Sequence, residues 1–146
     1  SDYSFPLVAQ GMADIIAEGG YGAIGSHGQQ HGIGSHWEIW MAASATGNHG
    51  ALDVATRQGA YFLGAIDDIG TIEVGKLADL NIFNSNPIEN IRNTADIKYV
   101  MKGGILYEAD SLDEIWPNKT PFGPKYWDNQ EIYRIGDKPV DFHENK

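Results

Sequence analysis

Apolar residues at Leu7, Val8, Met12, Ile15 and Ile16 recur close to every 3.6 positions, which predicts a helix over residues 5–18. Pro6 suits an early helical position, and Gly19-Gly20 ends the run. Residues 21–26 are apolar or small and carry no charge, the pattern of a short strand buried on both faces of a parallel sheet. A second helix is expected from near His36 to about Ser44. Asn48 is placed to cap a third over residues 50–63, where Ala51, Leu52, Ala55, Gly59 and Phe62 form an apolar stripe. Helix, strand, loop and two more helices make the rhythm of an α/β barrel or a doubly wound sheet.

The pattern changes after Gly64. Residues 70–75 are turn-rich, 79–83 alternate as a strand does, and 84–87 read as a turn. Residues 97–102 read as another strand, and Gly103-Gly104 as a hairpin turn into a third at 105–107. Three short strands predict a small sheet packed beside the α/β part. From Asp110 onward Pro117, Pro121, Pro124 and Pro139 interrupt any regular element, with Trp116, Phe122, Tyr126, Trp127 and Tyr133 between them. That composition predicts an extended aromatic tail lying along a partner surface. The expected divisions are therefore 1–66, 67–109 and 110–146.

The chain has 146 residues, enough for one domain with a real core. Its net charge is −10, and its ten Lys and Arg are scattered without a run, so nucleic acid and anionic membrane are excluded as expected partners. No apolar run approaches the roughly 20 residues that span a bilayer. The chain opens at Ser1 with an element almost at once, which is expected of a processed or excerpted chain; localisation stays open. With no cysteine there is neither a disulfide nor a thiolate ligand, so any metal must be held by His, Asp, Glu or a modified Lys.

Chemistry concentrates in residues 22–38, where His27, His31 and His36 fall within ten positions among glycines. Glycine lets backbone approach a ligand closely, and histidine both binds metals and titrates near neutral pH. His27, at the end of the expected strand, reads as a metal ligand, a proton shuttle or a substrate contact, or as a histidine that only hydrogen-bonds its loop. Gln29 and His31 read equally as substrate contacts or as loop scaffolding. His36 and Glu38 are two apart on a helix and cannot share one ion. His36 is expected to line the pocket, and Glu38 to favour the helix N-terminus electrostatically, with structural roles preferred for both. Trp37, Trp40 and Met41 are expected in the core. Lys76 and Asp79 are expected to form structural hydrogen bonds or ion pairs. The glycines lack the spacing and the following Lys-Ser/Thr of a phosphate loop.

Two blocks together resemble one family. Gly70-Thr71-Ile72-Glu73-Val74-Gly75-Lys76-Leu77-Ala78-Asp79-Leu80, with Asn86-Pro87, Ile91-Arg92-Asn93-Thr94 and Tyr99-Val100-Met101-Lys102-Gly103-Gly104, resembles the C-terminal end of the amidohydrolase superfamily. Ile24-Gly25-Ser26-His27-Gly28-Gln29 through His36-Trp37-Glu38 is similar to its imidazolonepropionase-like branch, in members that often carry β-propeller repeats. The resemblance covers roughly residues 1–116.

It implies the C-terminal part of a TIM (β/α)8 barrel followed by strands of a small β-sandwich. Residues 5–18 would be the seventh barrel helix and 21–26 the eighth strand. The family hydrolyses amide, lactam, ester and related bonds with one or two divalent metals. Its ligands are a His-x-His pair on the first strand, a carboxylated Lys or Glu on the fourth, histidines on the fifth and sixth, and Asp ending the eighth. Only the last position falls within this chain, and there it is His27. The implied protein hydrolyses C–N bonds of a small amide or peptide-like substrate. A divalent metal, zinc by expectation, would be held mostly by residues outside this chain. His27 would be ligand or proton carrier, with Gln29, His31 and His36 binding substrate. The chain alone is expected to be inactive and to associate with the remainder of the same protein or with another copy. The alternative is a non-catalytic protein-interaction module. A third reading, a metal carrier, needs His27, His31 and His36 to converge on one ion.

Overall fold

The computed structural model describes residues 4–26 and 30–124. Helix α1 spans Phe5–Ala17 and packs on α2, Ile33–Asp53. Helix α2 starts three residues before the expected His36 and consists of two helical stretches joined at Gly47, whose φ of 71° and ψ of 170° are not helical, so the expected break between two helices is present. Asn48 stands directly after that break, and its Nδ2 donates to the carbonyl of Ile88 at 2.8 Å. The helical path continues through a π turn, Val54–Gln58, into the short α3, Gly59–Phe62.

Residues 21–26 are the main correction to the expected layout: they form no strand. A parallel strand exists only where a neighbour supplies its ladder, and side chains bind these amides instead. Gly22 donates to Gln58, while Gly25 and Ser26 both donate to Glu38. Tyr21 stacks on Tyr61 with ring centroids 4.0 Å apart.

The second unit is an antiparallel meander, β1 (Leu80–Phe83), β2 (Ile97–Lys102), β3 (Ile105–Glu108) and β4 (Glu114–Trp116), in sequential order. The first three lie where alternation and turns predicted them. β4 lies in the stretch read as tail, where the proline-rich composition masks three residues that pair with β3. The two-residue β2–β3 turn has φ 56° at Gly103 and φ 83° at Gly104, both positive, as a type I′ turn requires. Asp79 braces this turn, accepting the N–H of Gly103 at 2.7 Å and pairing with Lys102. Lys76 donates to the Ile66 carbonyl at 2.6 Å and to Thr71. Both residues thus fill the structural roles expected of them.

The core is thin. Ala9, Ile39, Ala42, Ala51, Val54 and Ala60 are its buried apolar residues, and Met12, Ile24, Trp40 and Ile91 pack against it. Leu7, Phe62, Leu63 and Val74 are largely exposed. A 3-10 turn, Ile91–Ala95, joins the sheet to α2. No described helix is long and apolar enough to cross a membrane.

Candidate functional site

Of the residues singled out for chemistry, His27 and Gln29 lie outside the described residues. Ser26 and Gln30 bracket them. Ser26 has φ 44°, in the left-handed region that residues bearing a Cβ seldom adopt. On the other side, the Gln30 carbonyl accepts the N–H of Gly34 at 2.9 Å. Gly34 is buried, and a Cβ there would stand 3.0 Å from the Cβ of Ser26 and 3.1 Å from that of Gln30. A side chain at position 34 would therefore crowd Ser26 and Gln30, and glycine lets the first turn of α2 pack closely against both.

Glu38 lies one turn further along α2. Its Oε2 accepts the N–H of Gly25 at 2.6 Å and its Oε1 that of Ser26 at 2.9 Å. This corrects the expected electrostatic role at the helix N-terminus, since α2 has no side-chain cap and the carboxylate reaches back to the preceding corner. The signal was present: a carboxylate a few residues inside a helix that follows a glycine loop has bare amides within reach.

His31 is exposed in the turn that enters α2, where its carbonyl accepts the N–H of Ile33 at 2.9 Å. His36 is half-buried against the 3-10 turn, with Nδ1 3.3 Å from Thr94 Oγ1. Thr94 is buried; its hydroxyl donates to the Ile91 carbonyl and accepts from Trp40 Nε1, both at 2.9 Å. With the hydroxyl proton committed to Ile91, Nδ1 is the donor to Thr94, so Nδ1 carries the proton in the neutral ring. Burial lowers the pKa of His36 below its ordinary 6.5. Trp40 also donates to the Ile91 carbonyl at 3.0 Å, and the Arg92 guanidinium sits 4.1 Å from its ring centroid. Trp37, expected in the core, is half exposed, whereas Trp40 packs on it. Sequence reasoning missed Thr94 and Gln58. Gln58 carried a signal, as a polar residue flanking the apolar stripe of its helix.

An open groove between α1 and α2 is lined by Ile16, Ala17, Thr46, His49, Asp53 and Gln58, among others. Asp53 is held below the usual carboxylate range, first by its hydrogen bond from Arg57. Neither His31 nor His36 lines this groove. Among the described residues no three His, Asp or Glu side chains are grouped to hold a metal ion.

Residues 12–106 match the Amidohydrolase family. Among solved structures, the chain is similar to a Xaa-Pro dipeptidase with methionine bound in the active site, at 32% identity and TM-score 0.61 over 70% of this chain and 26% of that one. It is also similar to a prolidase complexed with N-methylphosphonate-L-proline, at 28% identity and TM-score 0.56 over 68% of this chain and 26% of that one. The chain spans about a quarter of the length of these two proteins. No curated protein matches it at a significant level.

Proposed function

Since this chain belongs to the amidohydrolase family, we propose that it forms one wall of the active site of a hydrolase acting on C–N bonds of small amide or peptide-like substrates. The observation that carries the proposal is that the family match, residues 12–106, runs through the whole histidine corner. The similar solved structures, a Xaa-Pro dipeptidase and a prolidase, support dipeptides as the first substrates to try. In this reading α1 and α2 belong to the wall of a (β/α)8 barrel, and the meander belongs to a small β-sandwich beside it.

His27 is assigned the reacting position and Gln29 and His31 the substrate contacts. His36, tied to Thr94 and Trp40, holds the helix against the sheet unit from behind. A divalent cation, zinc by preference, would supply a Lewis acid and an acidified water. His27 would be its ligand or a proton carrier, and the cation would be held mostly by residues elsewhere in the protein. The 146 residues alone are then inactive and work together with the remainder of the protein or a second copy. What the described residues contribute beside His27 is placement: Gly34 lets α2 approach Ser26 and Gln30, and Glu38 ties down Gly25 and Ser26.

The test is hydrolysis of Met-Pro, Ala-Pro and N-acetylmethionine by the full-length protein, with and without His27→Ala. The expected result is turnover of at least one of the three and a fall in kcat of about 10²-fold or more in the variant, at an unchanged melting temperature. No turnover of any of them would favour the interaction-module reading. Unchanged kcat with a lowered melting temperature would make His27 architectural.

A further inference from the structure

We propose that the groove between α1 and α2 is a binding site for a free α-amino acid with an aliphatic side chain, its ammonium on Asp53 and its carboxylate on Arg57 and His49. The proposal does not depend on the reading of His27, since its residues all lie in α1, α2 and the π turn. The groove has a volume of about 540 Å³, within the roughly 300–1,000 Å³ of small-molecule sites. Ala13, Ile16 and Ala17 of α1 and Ala45 of α2 form its apolar side, while His49, Asp53 and Arg57 bring its charge. The helix is irregular here as well. In an α-helix, positions five apart point about 140° away from each other. The π turn Val54–Gln58 instead brings Gln58 Nε2 back to 2.7 Å from Asp53. Single π turns inside helices gather at functional sites.

Asp53 Oδ1 and Arg57 Nε are 2.6 Å apart, so the groove carries both signs of charge side by side. A carboxylate offers about four acceptor positions. Arg57 Nε, Arg57 Nη2 and Gln58 Nε2 fill three of them on Asp53, and the fourth suits an ammonium. A guanidinium has about five N–H donors, of which Asp53 takes those of Nε and one of Nη2. The others suit a carboxylate, together with a ring N–H of His49, which lies one turn before Asp53 on α2. An anion alone would be repelled by Asp53, and a cation alone by Arg57. An α-amino acid bears its two charges on one carbon and meets each with its complement. The termini of a dipeptide stand up to about 3.3–3.6 Å further apart, so they match a contacting pair less well. The aliphatic side chain then lies along Ala13, Ile16 and Ala17, where small residues leave room. An ordinary surface ion pair faces open solvent, whereas this one edges a groove. Gln58 stands behind it, 5% exposed and fixed at its other end to Gly22, so the receiving carboxylate is held in place before a ligand arrives.

The experiment titrates L-leucine, N-acetyl-leucine and leucinamide into the full-length protein by calorimetry, and measures hydrogen exchange with and without leucine. N-acetyl-leucine lacks the ammonium, and leucinamide lacks the carboxylate. The proteins compared are the unmodified one, Asp53→Asn, Arg57→Gln, Ala17→Phe and His27→Ala. Leucine is expected to bind at millimolar concentration or below and to slow exchange in peptides covering residues 13–22 and 45–58. N-acetyl-leucine and leucinamide should each bind about 10- to 100-fold more weakly, the worth of a hydrogen bond to a charged group. Asp53→Asn and Arg57→Gln should weaken leucine by a similar factor. Ala17 is exposed on α1, so Ala17→Phe should fill the apolar side and abolish binding without touching the charged groups. His27→Ala should leave the affinity for leucine unchanged. Should Asp53→Asn fail to fold, the ligand series and Ala17→Phe decide by themselves. The site is overturned by an absence of leucine binding at millimolar concentration, or by protection confined to other peptides. Equal binding of N-acetyl-leucine also overturns it, since the groove would then be a simple anion site. Affinity lost in His27→Ala but kept in Ala17→Phe would place the amino acid at the histidine corner and reject the groove, while leaving the reading of His27 intact.

Discussion

Gln58 Oε1 accepts the backbone N–H of Gly22 at 2.8 Å, a buried bond across 36 positions of sequence. Gln58 is 5% exposed, and its Nε2 donates to Asp53 Oδ2 at 2.7 Å. Asp53 in turn takes two bonds from Arg57, each 2.6 Å. One amide side chain therefore joins the segment leading to the histidine corner to the ion pair that steadies the end of α2. Gln58→Leu keeps the bulk and removes both polar ends, leaving a buried N–H without its acceptor. Such a group costs about 1–3 kcal/mol. The urea midpoint of the full-length protein should fall accordingly, and an unchanged midpoint would show that water replaces the side chain at Gly22.

The junction between α2 and the sheet unit hangs on Thr94 in a comparable way. Its single hydroxyl serves Ile91, Trp40 and His36 at once, and the residue is 2% exposed. Thr94→Val is nearly isosteric but has no polar atom to offer. We expect a loss of about 1–3 kcal/mol from the groups left unpaired. Trp40→Phe should remove much of the same energy, so the double variant should cost less than the sum of the two, as coupled neighbours do. Additive losses would mean that the indole N–H is satisfied by the Ile91 carbonyl alone.

His36 makes that junction sensitive to acid. Burial lowers its pKa in the folded protein below 6.5, so between the folded value and 6.5 the unfolded chain binds more protons. Stability therefore rises with pH through that window, is fully present above it, and falls as the solution is acidified. Urea midpoints measured from pH 7.5 down to 5 should drop for the unmodified protein. The drop should be smaller for His36→Gln, which cannot titrate. Equal slopes for the two would assign the acid sensitivity to other groups.

The β2–β3 turn offers a stabilising change. Gly103 and Gly104 both have positive φ, and a Cβ at position 103 meets nothing within 4 Å. Asn tolerates this conformation, and Asn-Gly is the favoured pair of a type I′ turn. Gly103→Asn keeps the N–H that Asp79 accepts while narrowing the freedom of the unfolded chain. A gain of about 0.4–1 kcal/mol is expected. A lower melting temperature would show that the turn needs a backbone geometry only glycine supplies.

What was legible in the sequence and what was not divide along physical lines. Helix α1 and strands β1 to β3 were readable because periodicity and turn chemistry are local: Pro6, the spacing of Leu7 to Ile16, and Gly103-Gly104 act within a few residues. The family was readable from the string around Lys76 and Asp79, and the match over residues 12–106 agrees with it. Residues 21–26 misled, because an uncharged run signals burial but not a ladder, and ladders need a partner that local pattern does not record. The start of α2 was set three residues late, since Gly34 reads as loop composition although it is buried under Ser26 and Gln30. The reach of Glu38 to Gly25 and Ser26, and of Trp40 to Thr94, crosses 12 to 54 positions. No short-range rule points across such separations. The site was therefore legible as an inventory of histidines and glycines, while the contacts that hold it emerged only from packing.

Placement also separates the roles of residues near His27. His31 is exposed at the entrance to α2, where its carbonyl accepts the N–H of Ile33. An exposed side chain of that kind is suited to bind substrate, the role proposed for Gln29 as well. His31→Ala and Gln29→Ala should then raise KM on the cleaved dipeptide by about 3- to 10-fold while kcat changes little, the pattern left by loss of uniform binding. The melting temperature of His31→Ala should stay within about a degree, because surface changes of this type usually move stability by under about 0.5 kcal/mol. Steady-state kinetics with each variant decide the matter. A fall in kcat at constant KM would move the residue concerned from substrate binding into the reaction itself, and would leave His27 sharing its assigned work.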